Sequence, residues 1–366
     1  MNSVLKRFLC CTLKLSVLAS VSLLTACSSS LKDYSAATPL SSIDARLQVK
    51  PLWATSTGDV PQSAHAQLPV KVEGGRVYLA DRRGSVTALD SKNGDLHWRV
   101  NLSEPLSGGP GVGDKYLFVA TREAELVALD KKTGEEKWRK RISSEMLATP
   151  VVIDNQLVVQ TIDGRVSVYD ASTGKNIWAY SRAIPKLTLR GTSSPVVLGD
   201  KIIAGFSDGR LIGLNRATGE LLWETTIAAP RGRTDLERLV DIDGLFQAAD
   251  GVVYVSSFQG RVAAVVASDG NVLWARDMSS YTGLAIGANQ IFVTDAESKV
   301  WALDGRTGAT LWRQDMLMKR ELSAPAVVRD NIAVADYDGF VHWLSDRKST
   351  RLNSSHVALS RMPSSA

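Results

Sequence analysis

The segment Ala128–Trp138, with the sequence ALDKKTGEEKW, decides the fold because it recurs along the chain. The same order of residues, Ala-Leu-Asp-x-x-Thr-Gly-x-x-x-Trp, returns at Ala302–Trp312. Looser copies keep a glycine four residues before a tryptophan. These tryptophans are Trp98, Trp138, Trp178, Trp223, Trp274 and Trp312, and their glycines are Gly94, Gly134, Gly174, Gly219, Gly270 and Gly308. Successive tryptophans lie 40, 40, 45, 51 and 38 residues apart, so the chain consists of structural repeats of about that length.

Each repeat predicts four β-strands. Runs such as Tyr116–Val119 and Val252–Val255 combine aromatic and β-branched residues between Gly, Asp and Asn. The third strand ends at Leu-Asp, a tight turn follows, and the tryptophan lies on the fourth strand. No amphipathic helical pattern appears between Trp53 and Leu344. Four strands in a period near 40 residues indicate an all-β fold, a β-propeller of four-stranded blades over residues 47–345.

The glycine, the aspartate and the tryptophan of the repeat motif each have a structural explanation, although Asn215 and Val266 replace the aspartate in two repeats. Glycine adopts the positive φ that a tight turn needs without a steric penalty. The aspartate can accept hydrogen bonds from the backbone N–H groups of its own turn. The indole is large enough to cover the joint between neighbouring sheets while its N–H donates to a carbonyl. A row of tryptophans could also bind carbohydrate, but six tryptophans in one repeat frame favour packing between repeats.

Residues 1–26 are typical of a secretory signal peptide. Lys6 and Arg7 precede the apolar run Leu15–Ala26, which is too short to span a bilayer. The sequence LTAC ending at Cys27 resembles the lipobox of bacterial lipoproteins. That resemblance implies cleavage before Cys27, attachment of palmitate-type acyl chains there, and, with Ser28 next, a lipid anchor in the outer membrane facing the periplasm. Residues 27–46 are mostly small and polar, which predicts a flexible tether.

Composition and charge exclude several classes of protein. With 44% hydrophobic and 22% charged residues, the chain is neither intrinsically disordered nor a polytopic membrane protein. Seven of the 43 basic residues lie in residues 1–26 and 347–366, which contain no acidic residue. The other 36 basic residues face 38 acidic ones, so the net charge of +5 does not indicate a nucleic-acid partner. Cys27 is the only cysteine after residue 26, which excludes an internal disulfide.

No motif in the chain predicts catalysis. The segment Gly205–Gly209, GFSDG, matches the Gly-x-Ser-x-Gly nucleophile elbow, but that elbow needs a strand followed by a helix. Here the repeat frame predicts a hairpin turn instead. The four histidines, His65, His97, His342 and His356, lack the spacing of metal ligands. We therefore predict no catalytic residue, no metal site and no cofactor.

The repeat pattern resembles the docking motif of propellers related to the pyrroloquinoline-quinone (PQQ) enzymes. Together with the lipobox and the local run Ile184–Gly191, IPKLTLRG, it resembles the BamB family of outer-membrane protein assembly factors. The resemblance implies an eight-bladed propeller that serves as a non-catalytic scaffold lipoprotein of the Bam complex. Such a protein binds the barrel-forming subunit through the periplasmic domains of that subunit and aids protein insertion into the membrane. Nascent outer-membrane proteins remain open as a second partner.

The main alternative is a PQQ-dependent periplasmic dehydrogenase on the same fold. Enzymes of that family carry adjacent cysteines beside the quinone and a calcium site of acidic and Asn residues. The only adjacent cysteines of this chain, Cys10 and Cys11, lie within the predicted signal peptide. A shared fold does not carry an activity with it, so the scaffold is the preferred interpretation.

Two insertions predict where the partner binds. The two longest intervals between tryptophans are consecutive, and their extra residues fall at Tyr180–Thr192 and Thr226–Gln247. Each insertion joins a fourth strand to the next first strand, so both should leave the same face on adjacent blades. Resemblance to the family's partner-binding loops implies contacts through Leu187, Leu189, Arg190, Asp241 and Asp243. The structural alternative is that Arg190 pairs with one of the two aspartates and braces the loops.

The repeat pattern stops near the C-terminus. The next repeat would place a glycine at 349 and a tryptophan at 353, where the sequence has Ser349 and Asn353. Residues 346–366 resemble translated vector sequence and predict a disordered tail, which leaves about seven blades' worth of strands. Trp53 looks like part of a fourth strand without a preceding repeat. We expect its strand either to stay unpaired or to close a ring of seven blades by pairing with Phe340–Leu344.

Overall fold

The computed structural model describes residues 36–43, 46–55, 68–188, 191, 193–230, 232–242 and 244–347, together with the backbone of Arg351–His356. The chain divides into two compact units, Met1–Thr38 and Pro39–Ala366. In the first unit only residues 36–38 are described, so the predicted signal peptide and Cys27 lie outside the described residues. Every described strand belongs to the second unit.

The second unit folds into antiparallel four-stranded sheets, each made of strands that are consecutive in the chain. By blade, the strands are β1 Lys71–Glu73, β2 Arg76–Ala80, β3 Ser85–Asp90, β4 Leu96–Asn101; β5 Leu106–Val112, β6 Tyr116–Thr121, β7 Glu125–Asp130, β8 Glu136–Arg141; β9 Val151–Ile153, β10 Gln156–Thr161, β11 Arg165–Asp170, β12 Asn176–Ser181; β13 Val196–Leu198, β14 Lys201–Gly205, β15 Arg210–Asn215, β16 Leu221–Thr226; β17 Gln247–Ala249, β18 Val252–Ser256, β19 Arg261–Val266, β20 Val272–Asp277; β21 Leu284–Gly287, β22 Gln290–Thr294, β23 Val300–Asp304, β24 Thr310–Gln314; β25 Ala326–Val328, β26 Asn331–Ala335, β27 Phe340–Ser345 and β28 Arg351–His356.

The predicted β-propeller is confirmed. The first strands of successive blades contact one another in chain order, from β1 with β5 through to β21 with β25, so the first strands are innermost. Within each blade the second and third strands carry the core. Leu126–Leu129 on β7 and Leu117–Ala120 on β6 are fully buried. These runs are apolar on both faces because each sheet packs against a neighbouring sheet on either side.

The tryptophan of each fourth strand joins its blade to the next one. Its indole N–H donates to a backbone carbonyl of the following blade over 2.8 to 3.1 Å. The donor and acceptor residues are Trp98 with Lys131, Trp138 with Ala171, Trp178 with Arg216, Trp223 with Ala267, Trp274 with Gly305 and Trp312 with Asp346. The prediction that these tryptophans pack between repeats is therefore confirmed.

The motif glycine has a second role that the sequence did not reveal. Gly219, with φ of +77°, lies directly under the indole of Trp178 from the preceding blade, and a Cβ there would sit 2.5 Å from its Cε3 atom. The other five motif glycines, Gly94, Gly134, Gly174, Gly270 and Gly308, show the same contact with the preceding tryptophan. Glycine is thus required both by the turn and by the close approach of the indole.

The motif aspartate caps its turn as predicted. The Oδ1 atom of Asp130 accepts hydrogen bonds from the N–H groups of Lys132 and Thr133 at 2.9 and 3.0 Å. Asn215, which replaces the aspartate in the fourth blade, makes the same two contacts through its side-chain oxygen. A neutral side-chain oxygen therefore caps this turn as well as a carboxylate does. The fifth blade has Val266 at this position and keeps the backbone hydrogen bond from the N–H of Gly270 to the carbonyl of Val266.

Trp53 behaves like the motif tryptophans although it is not in a strand. Its indole N–H donates to the carbonyl of Ser91 in the first blade over 3.0 Å, and its ring packs on Gly94. Of the two expected outcomes for its segment, pairing with Phe340–Leu344 is wrong, because β27 has β26 and β28 as its neighbours. Residues 46–55 pair with no described strand, which agrees with the other outcome.

The prediction of a disordered tail is wrong over Arg351–His356. This segment forms β28 and pairs with β27, with Asn353 opposite Trp343. In the other blades the motif tryptophan occupies that register, as Trp312 does opposite Ala302. The backbone thus continues the repeat where the side-chain motif has stopped. Ladder hydrogen bonds use only backbone N–H and C=O groups, so a free edge can be paired without the motif residues. Residues 348–350 and 357–366 lie outside the described residues.

Candidate partner-binding surface

Two long connections extend from adjacent blades on one face of the propeller. The first long loop, residues 182–195, joins β12 to β13, and the second long loop, residues 227–246, joins β16 to β17. In these four-stranded meanders, every connection from a fourth strand to the next first strand leaves the same face, here called the loop face. Ile184 of the first loop and Ile242 of the second line one small cavity of about 10 Å³. The predicted side-by-side arrangement of the insertions is therefore present.

The first long loop is tied to the fourth blade by Arg182. Its guanidinium contacts Asp208 at 3.0 Å and Glu224 at 3.1 Å, and it lies 5.4 Å from the ring centre of Phe206. The side chain of Arg182 is mostly buried, so these charge-assisted hydrogen bonds hold the start of the loop in place. These contacts hold the pKa of Glu224 below its ordinary value, the hydrogen bond from Arg182 contributing most.

The base of the second long loop is packed into the propeller. Leu239, Val240 and Ile242 are buried, and Gly205 is needed beneath them because a Cβ there would lie 2.5 Å from Cγ2 of Ile242. Asp241 lies within this run with none of its surface exposed, and its carbonyl accepts a hydrogen bond from the N–H of Phe258 at 2.9 Å. The loop therefore stands on a rigid base.

The tip of the second long loop is a preformed turn. Glu237 accepts hydrogen bonds from the N–H groups of Arg233 and Thr234 at 2.7 and 3.2 Å, and its own N–H donates to the hydroxyl of Thr234. This reciprocal arrangement has the geometry of a capping box, and its backbone hydrogen bonds, the one from Arg233 foremost, lower the pKa of Glu237. The turn presents Leu236, which is 66% exposed, to solvent.

The predicted contact residues differ in how much of their surface is exposed. Leu187 is 46% exposed on the first long loop, as a contact residue should be. Asp241 is fully buried, so its side chain cannot touch a partner in this conformation. Leu189, Arg190 and Asp243 lie outside the described residues. Leu236 was missed, although a single apolar residue between the charged residues of an inserted loop is a signal that the sequence already contains.

A shallow groove continues the loop face toward the fifth blade. It has a volume of about 240 Å³ and lies between residues 226–229 at the start of the second long loop and residues 259–261 of the next blade. Arg261 and Asp277 form an ion pair at its edge, with 2.9 Å between Nε and Oδ1. The groove, Leu236 and Leu187 together give the loop face a mixed apolar and charged surface, which suits a protein partner.

The structure confirms the hairpin interpretation of Gly205–Gly209. The N–H of Gly209 donates to the carbonyl of Phe206 at 3.0 Å, and the turn leads into strand β15. Within the described part of the chain, no group of three or more His, Cys, Asp or Glu side chains is arranged to hold a metal ion. A search of the same residues finds no helix of the length and apolarity needed to cross a membrane.

The chain is similar to known proteins over most of its length. The sequence profile of a family described as "Outer membrane protein assembly factor BamB" matches residues 82–314. A protein of that name from Alkalilimnicola ehrlichii is 48% identical over 90% of this chain and 85% of the relative. Its counterpart from Pseudomonas aeruginosa is 46% identical over 87% of this chain and 84% of the relative. The crystal structure of BamB from Moraxella catarrhalis, 26% identical, has a TM-score of 0.75 and covers 79% of this chain and 87% of that one.

Quinone-dependent enzymes share the architecture at much lower sequence identity. Quinohemoprotein alcohol dehydrogenase from Comamonas testosteroni is 10% identical, with a TM-score of 0.62 over 78% of this chain and 66% of that enzyme. At such an identity the likeness shows the fold alone. The dehydrogenase alternative therefore rests on shared architecture and not on shared chemistry.

Proposed function

Because this chain belongs to the family of the outer membrane protein assembly factor BamB, we propose that it is an accessory scaffold of outer-membrane protein assembly. The family match is the observation that carries this proposal. The chain acts at the outer membrane, on the periplasmic side, as a non-catalytic member of the Bam complex. Its partner is the barrel-forming subunit, which it binds through the periplasmic domains of that subunit.

The loop face of the third to fifth blades is the proposed binding surface. Binding residues concentrate on loops that a rigid scaffold positions, and both long loops are anchored in this way. Arg182 holds the first loop, and the buried base around Ile242 holds the second. Leu187 and Leu236 supply exposed apolar surface, on which a small number of residues can provide most of the binding energy. Leu189, Arg190 and Asp243 complete the proposed contact set.

Asp241 has a supporting role in this proposal. A buried carboxylate is stable only with hydrogen-bonded or cationic partners. The bracing alternative gives that role to Arg190, which would then pair with Asp241 or Asp243. In the preferred alternative Arg190 contacts the partner together with Leu187 and Leu236.

Substitution of the exposed leucines tests the surface. Leu236→Asp should weaken binding of the purified periplasmic domains of the barrel subunit about tenfold or more, because it places a charge in an apolar contact. Leu96→Asp is the matched control, since Leu96 is 57% exposed on the outer strand of the first blade. Affinity is measured by biolayer interferometry with each variant's melting curve alongside. If Leu236→Asp binds as tightly as the wild type, or loses no more affinity than Leu96→Asp, the interface lies elsewhere.

Arg190→Glu separates contact from bracing. If Arg190 touches the partner, binding is lost while the melting temperature stays unchanged. If it only neutralises Asp241, the melting temperature falls and the loops loosen, because the buried carboxylate loses its cation. Retained binding with an unchanged melt would remove Arg190 from both roles.

Attachment through Cys27 is the membrane part of the proposal. The lipobox pattern ending at Cys27 supports it, and two or three acyl chains would anchor the protein stably where one would not. Labelled palmitate should enter the wild-type protein and co-fractionate with the outer membrane.

A further inference from the structure

The fourth strands of the blades are exposed sheet edges, and two of them lack the usual protection. Each fourth strand is the last in its sheet, so its outer edge carries backbone N–H and C=O groups that no other described strand pairs. Natural proteins protect such edges with charged side chains, Lys above all. Among the fourth strands that the structure describes, only β12 and β16 contain neither Lys nor Arg.

Strand β8 of the second blade shows the protected case. Its sequence is EKWRKR, and its basic residues are Lys137, Arg139, Lys140 and Arg141. Strand β12 has the sequence NIWAYS, and β16 has the sequence LLWETT. Glu224, the single charged residue of these two strands, is neutralised by Arg182 and Arg210. The side chains of β12 and β16 therefore present no unpaired charge to an approaching strand.

The two unprotected edges also expose aliphatic side chains. Ile177 on β12 is 48% exposed, and Leu221 and Leu222 on β16 are each 45% exposed. Ile177 and Leu222 hold the same place in the repeat, directly before the motif tryptophan. A strand that paired with either edge would cover these side chains, because residues opposite each other on neighbouring strands are in contact.

Strands β12 and β16 lead into the two long loops. Strand β12 ends at Ser181 and β16 ends at Thr226, where the first and second long loops follow. The shallow groove of about 240 Å³ lies at that end of β16, with Arg261 and Asp277 of the next blade on its other side. Its volume is below the roughly 300 Å³ at which ligand pockets begin. The space therefore admits a single extended chain and not a folded domain.

The seventh blade shows that a strand can join a blade without the repeat motif. Strand β28 has Asn353 in the register of the motif tryptophan, yet it pairs with β27 from Phe340 to Leu344. The pairing uses backbone N–H and C=O groups, which every residue except proline has. A segment of unrelated sequence can thus extend one of these sheets through its backbone.

We propose that the edges of β12 and β16 bind, by strand addition, an unfolded chain segment in which apolar and polar residues alternate. The segment becomes a fifth strand of the blade, and its backbone pairs with the free N–H and C=O groups of the edge. Side chains of a strand point alternately to opposite faces, so one face of the segment covers Ile177 or the leucines of β16 while the other meets solvent. The site is separate from Leu187 and Leu236 and would stand if the loop-face interface were refuted.

The test is a titration of the purified chain with a fluorescein-labelled peptide of alternating Thr and Val, followed by fluorescence anisotropy. Saturable binding is expected, together with slower hydrogen exchange in β12 and β16 and unchanged exchange in β8. The same peptide with N-methylated backbone amides keeps its side chains but loses its donors, so it should not bind. Absence of saturable binding, or equal binding of the N-methylated peptide, overturns the proposal.

Charged substitutions identify the edges responsible. The double variant Ile177→Lys, Leu222→Lys should weaken peptide binding about tenfold or more, since it gives both edges the protection that β8 has. The matched control is Leu273→Lys, Leu311→Lys, because these residues precede Trp274 and Trp312 in the same repeat position and are 54% and 49% exposed. The control should bind like the wild type, and melting curves verify that both variants are folded. Equal loss of binding in the two double variants would refute the assignment to β12 and β16.

Discussion

Gly219→Ala tests whether the motif glycine is needed for contact with the preceding blade as well as for its turn. The backbone at Gly219 has φ of +77°, and an added Cβ would lie 2.5 Å from Cε3 and 2.7 Å from Cδ2 of Trp178. The indole must then move, which endangers its hydrogen bond to the carbonyl of Arg216, 2.9 Å long in the wild type.

The expected cost has two parts. An alanine in the left-handed region costs roughly 1 to 2 kcal/mol, and overpacking against the indole costs roughly 1 to 3 kcal/mol more. Gly199→Ala in the same blade isolates the first part, because φ is +57° there and nothing lies within 4 Å of the added Cβ. The free energy of unfolding should therefore fall by about 2 to 5 kcal/mol at Gly219 and by only about 1 to 2 kcal/mol at Gly199.

A double-mutant cycle with Trp178→Ala identifies the contact responsible. Without the indole, Gly219→Ala should cost no more than Gly199→Ala, which gives a coupling energy of about 1 to 3 kcal/mol. Urea unfolding gives the free energies, and hydrogen exchange at β12 and β15 reports whether the seam between the third and fourth blades loosens first. Equal costs for the two glycine substitutions in the wild-type background would refute the packing argument.

Three further predictions concern the acid stability, the first long loop and the membrane anchor. Burial raises the pKa of Asp336, but hydrogen bonds with a buried histidine and with Arg320 leave that pKa below its ordinary value. The charge of Asp336 therefore stabilises the fold above about pH 4, and this contribution is lost as the pH falls through the lowered pKa. Asp336→Asn should flatten that acid dependence in urea titrations at pH 2 to 5; an unchanged slope would contradict it. Arg182→Ala removes the contact with Glu224 and should speed hydrogen exchange at least tenfold at the amide of residue 182, which donates to the carbonyl of Gly164, with exchange in β15 as the unaffected reference. Cys27→Ser should abolish palmitate labelling and release the protein from the outer-membrane fraction, so unchanged fractionation would count against lipidation.

The sequence alone was sufficient to predict the fold and the order in which the chain forms its blades. The spacing of Trp98, Trp138 and the later motif tryptophans predicted blades near 40 residues long, and the strands lie where that frame places them. This works because each repeat makes the same local turn and the same contact with its neighbour. The two long intervals between motif tryptophans likewise indicated which blades carry long loops. Every connection from a fourth strand to the next first strand lies on the same face of the propeller, so both insertions had to lie on that face.

Only the tertiary structure decided which residues those loops expose and which they bury. Asp241 and Leu236 lie five residues apart in one polar segment, yet the first is fully buried and the second is 66% exposed. Sequence reasoning also could not foresee β28, because its pairing uses backbone groups that every residue has. The groove beside Thr226 likewise depends on Arg261 and Asp277 of the next blade, which only the fold brings to it. Repeats determine what is periodic and local, whereas burial, edge pairing and the shape of a groove depend on which distant residues meet in space.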